Sequence, residues 1–324
     1  APDTDPLFPA WAADAWQGYH PGPHLTPAGL TEKVFLGFLH PFAANQTYLT
    51  SWNNKQARDY DNPATGQEYS SVYRSQLLDR NIHHYLAIRK HGKLTLADLV
   101  NAMGNAGTQD LRGVEVLPYA LRVIGHPRGA LGRDVSALAA WAASGAHRIN
   151  RRHPGPSGTY QRSVAVRIMD AWWPLLVRSE FEPVLGRRLL GLIESDFPID
   201  DQPGHGTTCC HVGSAFDVGF YGIVQKDLRA VLGGRVRGPL NRIYCGRGSL
   251  KRCRSDLRAS LRRAAAEPIK HVYPADASCH AGDQMCSDSI RYRTIGVIGE
   301  PGMEWINRPT FQQADDLTGH RTKG

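Results

Sequence analysis

The chain has 324 residues, 41% of them hydrophobic and 21% charged, which is ample for a large core and too apolar for a disordered chain. Its longest apolar runs, Val34 to Leu39 and the Ala-rich stretch around Trp141, fall far short of the roughly 20 residues that a membrane-crossing helix needs. Lys and Arg total 38 against 30 for Asp and Glu, and the net charge of +8 raises the prior for an anionic partner without deciding it.

Residues 1–46 are proline-rich at the start and show little periodicity, so they read as an extended connection, and Ala1-Pro2-Asp3 opens no signal-peptide pattern. Residues 47–58 read as a strand and loop: Thr47 to Trp52 is β-rich and delivers the polar cluster Asn53-Asn54-Lys55 at its end. Turn residues follow through Asp61-Asn62-Pro63 and Gly66. From Ser70 the apolar residues take helical spacing, with Val72, Leu77, Leu78, Ile82, Leu86 and Ile88 on one side and Gly92 as a stop.

The next helix has a marked start, because Thr95 and Asp98 stand as a capping box while Leu94 and Leu99 sit where a hydrophobic staple would. Further helices are expected over 134–150, 160–193 with a break near Pro174, 214–232 and 249–266, so residues 70–270 are mainly helical. Alternation over Tyr292 to Ile298, and the run Trp305 to Pro309, make 285–324 a pair of closing strands. A strand, a long helical excursion and late strands give an α+β arrangement in which the ends of this chain complete a sheet begun elsewhere.

The six cysteines include no C-x-x-C, which leaves a zinc ribbon unsupported. Cys245 with Cys253 and Cys279 with Cys286 lie close in sequence and read as short-range disulfides of an exported protein, secreted or periplasmic. The pairing of Cys209 and Cys210 stays open. His205, Cys209, Cys210 and His211 could be drawn as a metal tetrad, but adjacent cysteines rarely aim at one ion, and a disulfide or core role is favoured. His83, His84 and His91 lack the glutamate of a His-Glu-x-x-His site, and Trp172 and Trp173 read as core. The basic stretch Arg229 to Arg263 admits a polyanion footprint, the mark of a cationic secreted binding module. Its arginines nevertheless flank an apolar stripe of Leu250, Cys253, Leu257 and Leu261 without stacking aromatics, as on an ordinary surface helix, so nucleic acid is not expected as a partner.

Trp52-Asn53-Asn54-Lys55 carries the sharper chemistry. A side-chain amide fixed at a strand end can donate to an oxyanion, whereas the plain alternative is that Asn-Asn opens a turn. Thr50 to Lys55 resembles the Trp-Asn-Asn segment of the penicillin acylase (penicillin amidase) family of N-terminal-nucleophile (Ntn) hydrolases. Arg74 with Ser75-Gln76-Leu77-Leu78, then Leu94 to Leu99 with Asp110-Leu111, and finally Trp305 to Gln313, are similar to later segments of that family in the same order.

The resemblance implies an αββα sandwich, of which this chain would be the C-terminal part of the large (β) subunit and a single catalytic domain over 1–324. It also implies an amidohydrolase that cleaves N-acyl bonds of a small-molecule amide after self-processing of a precursor. The nucleophile is an N-terminal serine whose α-amino group, with an ordinary pKa of about 7.7 to 8, serves as its base. Ala1 is not that serine, so the nucleophile, like the small subunit, is expected in an upstream part of the same precursor. Asn53 matches the oxyanion-hole asparagine and Arg74 the arginine that orients it, with Asn54 the fallback, since one step along a strand reverses the face. No cofactor is required. Calcium occurs in some members, and Asp59 and Asp61 lie in a comparable loop at a spacing that assigns no ligands.

Overall fold

The computed structural model describes residues 22–25, 31–34, 48, 50, 52, 54, 72–149, 159–199, 215–216, 219–237, 240, 242–277 and 279–289. The chain divides into two compact units, Ala1–Asp79 and Arg80–Gly324.

In the first unit, β1 (Gly22–Leu25) pairs antiparallel with β2 (Thr31–Val34), Gly22 opposite Val34 and Leu25 opposite Thr31, so the region read as an extended connection contains a hairpin. Helix α1 (Tyr73–Ile88) begins in this unit, and its first turns bury Arg74, Ser75 and Leu77. Of the expected strand and loop at 47–58, only Tyr48, Thr50, Trp52 and Asn54 are described, and Asn54 forms a β-bridge.

The second unit is helical among its described residues. Helix α2 (Leu96–Thr108) starts as the sequence predicts: the Asp98 N–H donates to Thr95 Oγ1 at 3.2 Å, and the Thr95 N–H donates to the Asp98 carboxylate at 2.9 Å. Arg89 adds a third tie to Asp98 at 2.5 Å. The Arg89 bonds, and after them the Thr95 N–H, hold the Asp98 carboxyl well below its ordinary range.

A π-helical turn (Arg112–Val116) leads without a break into α3 (Leu117–Ile124), which has a proline in its first turn. Helix α4 (Gly129–Ala143) follows, then the long α5 (Ser163–Asp196). The break expected near Pro174 falls instead at Gly186, the residue of α5 with non-helical backbone angles (φ 75°, ψ 158°). Pro174 forfeits one backbone bond, but Trp172, Trp173, Leu176 and Val177 around it are fully buried and the backbone angles stay helical through it. Gly186 has no such anchor and alone among neighbouring residues reaches positive φ without a Cβ penalty.

Helices α6 (Tyr221–Val231), α7 (Leu250–Ala266), α8 (Ile269–Val272) and α9 (Gln284–Asp288) complete the unit. Residues 285–288, placed by the sequence with the closing strands, are thus helical; the strands expected over 292–298 and 305–309 lie outside the described residues. The αββα sandwich is not visible among the described residues, which show a mainly helical body and one hairpin.

The core runs along α5 and α7. The Trp172 indole donates to Ser260 Oγ at 2.9 Å, and the Trp173 indole donates to the Ile199 carbonyl at 2.6 Å while stacking on Tyr221 with centroids 5.1 Å apart. Each such indole buries roughly 200 Å² with its one polar atom satisfied, so burial wins without a desolvation penalty. The apolar stripe of α7 is inside, as read from its spacing, with Cys253, Leu257 and Leu261 fully buried. Two disulfides, Cys245–Cys253 and Cys279–Cys286, join the pairs chosen from the sequence.

Two buried polar clusters tie distant segments together. In the larger one, Arg112 and Arg148 face Asp110, Asp170 and Asp288, all with side chains wholly out of water. Arg148 reaches all three carboxylates, at 2.6 Å to Asp288, 3.0 Å to Asp110 and 2.8 Å to Asp170, and lies over the Tyr160 ring. The Tyr160 hydroxyl donates to Asp288 and the Tyr273 hydroxyl to Asp170. Burial, only partly offset by Arg148, pushes the Asp288 carboxyl up. In the smaller cluster, the Asp227 carboxylate accepts the N–H groups of Tyr244 at 2.8 Å and Cys245 at 2.7 Å. Glu180 is buried beside it, and burial first, then the Asp227 carboxylate, pushes Glu180 well above the ordinary carboxyl range.

Candidate functional site

The site residues predicted from the sequence fall in the first unit, where the described part of the segment at 48–54 lies beside the start of α1. Hydrogen bonds join them. The Tyr48 hydroxyl donates to Asp79, and Arg74 Nη2 donates to the Trp52 carbonyl at 3.4 Å. Arg74 is therefore not the helix-surface residue that its position in the pattern would allow. It is 6% exposed, with its guanidinium turned to the backbone of the Trp-Asn-Asn segment.

Trp52 is held at its other end as well. Its N–H donates to Asn54 Oδ1 at 2.9 Å, a buried bond that reaches back over the intervening residue. A buried backbone N–H and C=O each need a partner, and at Trp52 two side chains supply what a neighbouring strand ordinarily would. Trp52 and Asn54 are both buried. The side-chain amide oxygen of Asn54 is thus engaged with the Trp52 backbone. Asn53, Asp59 and Asp61 lie outside the described residues.

The remaining candidates separate clearly. His83, His84 and His91 are exposed on α1 and the turn after it. Among the described residues no group of three or more His, Cys, Asp or Glu side chains could hold a metal ion. The proposed tetrad of His205, Cys209, Cys210 and His211 lies outside them. Trp172 and Trp173 are core, with no face left for a ligand. Among the described residues no helix is long and apolar enough to cross a membrane.

The basic stretch is partly spent on structure. Arg254 donates to the Val123 carbonyl at 2.7 Å and Arg258 to that of Ile124 at 2.6 Å, so both cap the C-terminus of α3, where cations complement the helix dipole. A polyanion footprint on α7 loses two of its arginines to this packing.

Sequence reasoning passed over a hydroxyl–imidazole pair, Thr108 Oγ1 with His147 Nδ1 at 2.8 Å. The Thr108 hydroxyl also lies 3.2 Å from the carbonyls of Gly104 and Asn105, and burial pushes His147 down, so the pair closes the end of α2 around a neutral imidazole. It also passed over the charge cluster of Arg112 and Arg148, whose side chains are sealed from water. Both lacked a local signal, since their partners are far apart in sequence.

A family model described as penicillin amidase matches residues 1–228, a span that includes Trp52, Asn53, Asn54 and Arg74. No curated protein matches the chain.

Proposed function

The chain belongs to the penicillin amidase family, and from that premise we propose that it is part of an acylase that hydrolyses a linear N-acyl amide through an N-terminal serine, with Asn53 as an oxyanion-hole donor. That serine is both the nucleophile and the carrier of the base. Its free α-amino group takes the hydroxyl proton as the oxygen attacks the amide carbonyl, then returns it to the leaving amine. Negative charge builds on the carbonyl oxygen in the tetrahedral intermediate, where the Asn53 amide meets it. Arg74 acts at one remove, by fixing the backbone that carries Asn53. The two disulfides support an exported enzyme, secreted or periplasmic.

The observation that carries this reading is the Arg74 bond to the Trp52 carbonyl, because that oxygen belongs to the peptide that leads into Asn53. A peptide unit is planar, so a guanidinium that pins its oxygen also limits where the following Cα can go. The test is Asn53→Ala in the complete, processed enzyme, assayed on a chromogenic phenylacetyl or fatty-acyl amide. We expect kcat to fall about 100- to 1,000-fold with a much smaller change in KM, since the donor acts on charge that develops in the transition state. Near-normal kcat in that variant refutes the oxyanion role.

A further inference from the structure

We infer that Asn54 is a positioning residue of the same site, acting as an intramolecular clamp that fixes the backbone of Trp52 and with it the peptide that leads into Asn53. In the acylase mechanism proposed above, on which this rests, a donor is useful only if it is held where the oxyanion will form, because its advantage comes from needing no reorganisation at the moment of reaction. A side chain on a loop is poorly suited to that unless its backbone is restrained.

The restraint is visible at Trp52. Asn54 Oδ1 accepts the Trp52 N–H at 2.9 Å. That bond closes a ring through the side chain of Asn54 and back along the main chain to Trp52. Outside the ring, the Arg74 guanidinium holds the Trp52 carbonyl at 3.4 Å. One side chain thus fixes the peptide plane before Trp52 and the other the plane after it, which together determine the φ and ψ of Trp52. The stronger of the two by distance is the Asn54 bond. Burial of Trp52 and Asn54, at 6% and 0% exposure, keeps water from substituting for either partner.

The role depends on an accepting oxygen and not on the amide nitrogen, which separates it from the role of Asn53. Asn54→Asp keeps an acceptor in the same place; Asn54→Ala and the similarly sized Asn54→Leu remove it. In the complete, processed enzyme we expect the Ala and Leu variants to lose about tenfold in kcat with KM changed by less than about threefold, since displacement of a reacting group by even 1 Å costs up to roughly 100-fold. The Asp variant should keep kcat to within about threefold of the parent.

If Asn54→Asp folds and is as slow as the Ala and Leu variants, or if Ala and Leu retain normal kcat, the clamp is refuted. Should Ala and Leu fail to fold, the Asp variant alone decides. Asn53→Ala, run beside them, separates the two hypotheses: a large kcat loss there with normal kcat in Asn54→Ala and Asn54→Leu removes only the clamp, whereas normal kcat in Asn53→Ala removes the oxyanion reading and the clamp with it.

Discussion

Replacing Arg148 by methionine tests the buried charge cluster most severely. Arg148 satisfies Asp288 at 2.6 Å and Asp170 at 2.8 Å and shares Asp110, at 3.0 Å, with Arg112. Three carboxylates face two guanidiniums in the parent protein, and the raised Asp288 carboxyl eases the surplus negative charge. In Arg148→Met, Arg112 still bonds Asp110 and Asp170, but Asp288 keeps only the Tyr160 hydroxyl among the described residues. Breaking a buried pair by removing one partner costs about 3 to 5 kcal/mol, most of it the penalty of the stranded charge. In a unit of this size that is a fall in Tm of about 6 to 20 °C. The loss should shrink at acidic pH, where Asp288 takes up a proton, and in the double variant Arg148→Met/Asp288→Asn, which removes the stranded charge outright. Asp288→Asn alone leaves two carboxylates for two arginines and should cost much less than Arg148→Met. Thermal and urea unfolding at pH 5 and pH 8 measure all of this. A cost below about 1 kcal/mol for Arg148→Met, or a double variant no better than the single, would refute the cluster as described.

The other predictions follow from single groups. Glu180 is held neutral by burial and the Asp227 carboxylate, so the folded state keeps a proton that the unfolded chain gives up above its ordinary carboxyl pKa of about 4.3, and stability must fall as pH rises beyond that point. Glu180→Gln should therefore match the parent near pH 4 and exceed it increasingly toward pH 8 in urea unfolding, whereas parallel pH profiles would refute a buried neutral acid. Gly246 has φ 57°, and a Cβ there would lie 2.2 Å from the Cys253 backbone nitrogen, so Gly246→Ala should cost about 2 kcal/mol through strain beside the disulfide; a loss under about 0.5 kcal/mol would refute that close approach.

Features written in local sequence were legible. The Thr95–Asp98 box involves residues three apart, and the disulfide partners lie eight and seven residues apart, so each could be read from one short window. What escaped was decided by distant partners. Nothing near Arg112 announces a π-helical turn, yet Arg112 meets Asp170 58 positions away, inside the core that this turn adjoins. Arg254 and Arg258 look like solvated charges on a helical wheel until α3 supplies carbonyls more than 130 residues upstream. Pro174 is the stronger breaker by intrinsic propensity, and packing of its tryptophan neighbours overrode it in favour of Gly186.

The candidate site was legible by a different route. Neither composition nor periodicity distinguishes Arg74 from the other arginines of the chain, and only its place after Trp52-Asn53-Asn54 in a family pattern marked it. Its bond to the Trp52 carbonyl gives that placement a physical meaning. The two asparagines were read as competitors for one role, on the ground that one step along a strand reverses the face. With Asn54 Oδ1 bonded to the Trp52 N–H, Asn54 has work of its own in this segment, distinct from the donor role proposed for Asn53. On the proposed reading, the two consecutive amides are neither redundant nor a generic turn signal. A donor aimed by its own backbone needs a second polar group to hold that backbone, and the nearest position with the right geometry is the next residue.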